Sequence, residues 1–107
     1  MGKITICKDF TDTPGGRYIT EGDFSGELFR DKILYPKLQE TKGEKLIVDF
    51  DGCYGFGTSF LEEAFGGIVR KYNIKGLLDI LTIISKEDES IPGLVKKYIQ
   101  DAEGKSQ

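Results

Sequence analysis

The 107-residue chain contains no histidine. That absence excludes Ser-His-Asp and Cys-His nucleophile pairs and removes the commonest zinc ligand, so most hydrolytic chemistry is closed to it. Cysteine is nearly as scarce. Cys7 and Cys53 are the only two, too few for a secreted disulfide framework at this length and without a nearby CxxC partner. Both fall on or beside expected strands, where they read as small buried apolar residues with reduced thiols. No hydrophobic run reaches the length of a membrane span or a signal peptide, so no membrane partner is expected and the expected location is the cytoplasm. Positive charge is not in excess either: 15 basic residues against 18 acidic ones give a net charge of -3, which supplies no field for nucleic acid.

What remains is the composition of one ordinary α/β domain. At this length a chain buries about two-thirds of the surface its unfolded form exposes and needs no metal or disulfide to fold. Residues 3–103 are expected to form the ordered core and 104–107 a polar tail. Ile4, Ile6 and Phe10 alternate with polar neighbours as in a half-buried strand, and Pro14-Gly15-Gly16 then turns the chain into a short second strand around Arg17 to Thr20, giving a hairpin. Ser25 is placed to cap the next helix, with Phe24 and Phe29 as a hydrophobic staple. Pro36 is expected to kink or end that helix near Leu34, with Gly43 closing the segment. Lys45 to Phe50 reads as a covered strand. Leu61, Ala64, Phe65, Ile68, Val69 and Tyr72 recur at helical spacing, "LLDILTIIS" reads as a further strand, and Ser90 and Pro92 open a last helix. The order ββαβαβα predicts an α/β fold with about four strands in a mixed sheet, covered by three helices.

The stretch "VDFDGCYGFGTSFLEEAF", Val48 to Phe65, passes from strand through three glycines in six residues into a helix. Gly52 to Ser59 matches a phosphate-binding loop in glycine spacing and final hydroxyl, but Thr58 stands where the lysine belongs. Phe60 breaks the dinucleotide fingerprint in the same way. Backbone amides and the helix dipole could still hold an anion, at about 0.3 to 2 kcal/mol per charge. Ser59 with Glu62 three residues later also spells a capping box, which by itself accounts for the serine. An enzyme built on Asp49, Asp51, Glu62 and Glu63 lacks a nucleophile beside a base. No catalytic residue, metal ligand or cofactor is therefore assigned. Gly66 and Gly67 lie mid-helix at a cost of up to about 2 kcal/mol relative to alanine, which predicts a close neighbouring backbone, the sheet's before a partner's.

"LIVDFDGCYGFGTSFLEEAFGG", Leu46 to Gly67, together with "FSGELFRDKILYPKL", Phe24 to Leu38, resembles the bacterial STAS-like domain family of unknown function and, more distantly, the STAS domains of anti-sigma-factor antagonists. The resemblance covers nearly the whole chain. In antagonists a hydroxyl at the start of the helix is phosphorylated by an ATPase-fold kinase, and Ser59 occupies that place, with Gly57 and Phe60 replacing the motif's aspartate and glycine. The resemblance implies a non-enzymatic regulatory module whose partner is an ATPase-fold kinase or an anti-sigma-like protein. Ser59, with Thr58 beside it, is the candidate switch. Tyr54, Phe56, Gly57, Phe60 and Glu63 are the candidate partner-binding residues, since aromatics crowded into a glycine loop make good anchors. The alternative is a small-ligand or nucleotide sensor that uses the loop amides as an anion nest.

Overall fold

In the computed structural model, which describes residues 2–105, three strands form one sheet in the order β1 (Gly2–Thr5), β2 (Leu46–Asp49), β3 (Leu81–Ile84), and both pairings are parallel. Five helices accompany them. These are α1 (Ile6–Asp9), α2 (26–41), α3 (58–72), α4 (Leu77–Ile80) and α5 (Ile91–Lys105), with a 3-10 turn at Ile19–Glu21. The α/β class stands; among the described residues the sheet has three strands instead of four and is parallel instead of mixed.

The register explains why "LIV" is a strand. Ile4, Val48 and Ile83 lie abreast on one face with Leu46 and Leu81 behind them, and that face is the one the helices bury. Phe29 and Leu34 of α2, Leu61, Phe65 and Ile68 of α3, and Val95 and Ile99 of α5 fill the core above it. The other face carries Lys3, Ile47 and Thr82 in one row and Thr5, Asp49 and Ile84 in the next, and stays partly open to solvent.

The expected hairpin does not form. After Thr5 the chain turns into α1, closed by the Thr5 N–H donating to Asp9 Oδ2 at 2.7 Å. Around Arg17 to Thr20 the amides that a strand would use are taken by carboxylates: Glu21 accepts from Arg17 and Tyr18, and Glu27 accepts from Ile19. Residues 77–80 are likewise helical, so β3 starts only at Leu81.

Ser25 does cap α2, its Oγ accepting from Leu28 N–H at 3.1 Å. The staple runs through a third ring, since Phe24 meets Phe10 edge-on and Phe10 meets Phe29. Pro36 neither ends nor breaks the helix. A π turn over Arg30–Leu34 lies just ahead of it, with Tyr35 N–H donating five residues back to Arg30, so the bonding pattern has shifted before the proline's missing donor is met. A second π turn, Glu62–Gly66, sits inside α3. The helix α5 continues through Gly104 to Lys105 in place of the expected polar tail, and residues 106 and 107 of that tail lie outside the described residues.

Candidate functional site

Because all three strands run the same way, the segments that follow them, 6–25 with α1 and the 3-10 turn, 50–57 and 85–90, meet at one end of the sheet, the end where parallel α/β folds hold their ligands. They are tied to one another. Asp51 accepts from Lys86 N–H at 2.8 Å and Glu87 N–H at 2.9 Å, while Gly52 N–H donates to Glu87 Oε1. Tyr54 N–H donates to Asp12 O at 2.8 Å, and the Cys53 thiol reaches Thr11 O at 3.6 Å. Only glycine serves at position 52: its φ is 92°, and a Cβ there would stand 2.8 Å from Cys7 Sγ.

The predicted partner-binding residues separate on this frame. Tyr54 is 86% exposed. Phe56 is half-buried, with ring centroids 5.0 Å from Phe50 and 5.7 Å from Phe60. Phe60 is fully buried among Phe10, Phe29 and Phe56, and Glu63 is buried as well, so neither faces a partner in this conformation. Gly57 is exposed and is itself the N-cap of α3, with extended backbone and no side-chain cap. Thr58 and Ser59 are exposed at the first two helical positions. The capping box of Ser59 and Glu62 is not made. Ser59 lies two residues past the cap position held by Gly57, and Glu62 is turned toward Arg17 and Arg70.

Those arginines belong to a cluster that the sequence did not disclose. Arg30, 5% exposed, pairs with Glu63, 7% exposed, and with Asp31 at 2.8 Å. Arg17 bridges Glu62 and Glu63, Arg70 holds Glu62, and Lys71 Nζ and Tyr72 Oη donate to Asp31 at 3.0 and 2.8 Å. Arg70 chiefly holds the Glu62 carboxyl below its ordinary value, and Arg30 chiefly does the same for Asp31. Both π turns lie in this cluster. Gly66 and Gly67 make room for it: a Cβ on Gly67 would be 2.9 Å from Glu63 Oε2 and 3.0 Å from Arg30 Nη1, and one on Gly66 would be 2.6 Å from Glu62 Oε2 and 3.3 Å from the Tyr98 carbonyl of α5. The close neighbours are charged side chains and α5, instead of the sheet. The paired mid-helix glycines were the one available signal. The cluster also fastens the segment after α1 to α3 through Arg17, one turn along the helix from the exposed hydroxyls.

A family model described as a STAS-like domain of unknown function (DUF4325) matches residues 25–100. The chain belongs to that family. None of the curated proteins and none of the solved structures matches it. The matched part of this STAS-like domain begins at the Ser25 cap and ends within α5, so it takes in the 50–57 loop, both π turns and every member of the ionic cluster except Arg17. Among the described residues no helix is long and apolar enough to cross a membrane.

Proposed function

We propose that this STAS-like domain is a cytoplasmic, non-enzymatic regulatory module that binds a protein partner through the 52–60 loop and the start of α3, with Ser59 as the hydroxyl whose phosphorylation switches the contact. The observation that carries this reading is Tyr54, an 86% exposed ring on a loop tied to both of its neighbours. A bulky ring presented on a held backbone loses little freedom on docking, which is what an interface anchor requires. Thr58 and Ser59 follow within five residues and are open to an enzyme. A phosphate on Ser59, of charge about -1.5 to -2, would sit at the positive end of a 15-residue helix whose first amides have no side-chain cap. Glu62 and Glu63, one turn further on, would repel it less than their charges suggest, because Arg17, Arg30 and Arg70 already neutralise them.

The distant likeness to anti-sigma-factor antagonists makes an ATPase-fold kinase or an anti-sigma-like protein the first partner to test. With that partner in a pull-down, Tyr54→Ala and Ser59→Asp should each abolish capture while the circular dichroism spectrum is unchanged. Equal capture of both variants and wild type would defeat the reading. The uncapped amides of α3 favour a second reading, an anion-binding sensor. Calorimetry with common nucleotides discriminates the two, since a saturable heat lost on Gly57→Val belongs only to the sensor.

A further inference from the structure

We propose that Cys7 and Cys53 are a thiol modification site, joined by oxidation into a reversible disulfide that links α1, directly after β1, to the loop after β2. Four observations meet here. The parallel register sets Thr5 opposite Asp49, so the two chains leave the sheet side by side, with Cys7 two residues past Thr5 and Cys53 four past Asp49. Cys7 Sγ lies against Gly52, the residue just before Cys53, in the space a side chain would fill at 2.8 Å. The Cys53 thiol points back across to Thr11 O, just past the α1 helix that carries Cys7. Both are free thiols and neither is fully buried, so a small oxidant reaches them. Gly52 and Gly55, at φ 92° and 145°, flank Cys53 and let its backbone adjust as the bond closes.

With a peroxide as oxidant the step balances as follows. The Cys7 sulfur attacks one peroxide oxygen, the O–O bond breaks, the departing hydroxide takes the Cys7 proton and leaves as water, and Cys7 sulfenic acid remains. Cys53 sulfur then attacks Cys7 Sγ, the S–O bond breaks, and the departing hydroxide takes the Cys53 proton to leave as a second water. Two sulfurs lose two electrons in all and the peroxide gains them. Burial pushes the Cys53 thiol up to about 12, so little Cys53 thiolate meets the peroxide, and its proton passes to the departing hydroxide as its sulfur attacks.

The test uses the reduced full chain, treated with hydrogen peroxide, alkylated, and digested without reductant. Mass spectrometry should find a Cys7–Cys53 cross-linked peptide lighter by two hydrogens, in monomeric protein, and dithiothreitol should remove it. Cys53→Ser should yield a Cys7 sulfenic acid that dimedone traps, whereas Cys7→Ser should leave Cys53 unmodified at the same dose. Conversion of Cys7 to sulfinic acid without the cross-link, cross-links only between molecules, or full alkylation of both thiols after peroxide would each overturn the proposal.

Discussion

Replacing Gly67 by alanine is the sharpest test of why two glycines stand together in α3. Within a helix that change ordinarily stabilises by up to about 1 kcal/mol. Gly93 offers the comparison: it is exposed in α5, nothing lies within 4 Å of its Cβ position, and Gly93→Ala should show a gain of that kind. At Gly67 the new methyl would stand 2.9 Å from Glu63 Oε2, 3.0 Å from Arg30 Nη1 and 3.4 Å from Arg30 Cδ. Arg30 and Glu63 are both buried, so neither can swing into water. Removing one member of a buried ion pair costs about 3–5 kcal/mol, and a methyl that forces the pair apart without removing either should cost about half of that. Subtracting the propensity gain leaves a net loss of about 1–2 kcal/mol, or a fall in Tm of roughly 5–15 °C for a domain of this size. The assay is urea unfolding followed by far-UV circular dichroism, because the chain has no tryptophan. The midpoint should fall for Gly67→Ala and rise for Gly93→Ala, with the slope unchanged. A midpoint for Gly67→Ala at or above wild type would show that the glycines do not serve the buried pair.

Two further outcomes are expected. Because Asp31 and Glu62 are held below their unfolded values, their contribution to stability is complete above about pH 5 and is lost as pH falls through the folded values. In low salt the wild-type Tm should therefore drop steeply below about pH 4, and Asp31→Asn should be less stable at pH 7 but decline more gently; parallel curves would refute the assignment. Ser25→Ala should cost about 1 kcal/mol because a buried cap is lost, whereas Ser59→Ala should change stability by less than about 0.5 kcal/mol. Equal losses in denaturant unfolding would return Ser59 to the role of a cap.

The long periodic segments were legible in the sequence because their pattern and their packing agree. Leu46 and Val48 alternate onto the covered face, and Leu61, Ala64, Phe65, Ile68 and Val69 bury one side of α3 as their spacing requires. The failures are places where a distant partner overrides a local rule. Arg17 to Thr20 has the look of a strand, yet Glu21 and Glu27 take its amides before any strand can. Ser59 and Glu62 spell a capping box, yet Glu62 is drawn to Arg17, far off in sequence, and to Arg70 two turns along the helix. Tyr54, Phe56 and Phe60 look alike in the sequence; Phe60 joins the core because it stands in the first turn of α3 against Phe10 and Phe29, while Tyr54 stays in water.

The wholly parallel sheet has a kinetic consequence. Gly2 pairs with Leu46 and Leu46 with Leu81, so no ladder can be closed by a short turn, and each must wait for a long intervening segment to condense. Without the hairpin, nothing in the sheet can nucleate locally. Folding is therefore expected to start among α2, α3 and α5, leaving the β2 segment, "LIVD", exposed with both edges unpaired until the ladders close. Refolding at high protein concentration should lose material to aggregation, and dilution should recover it.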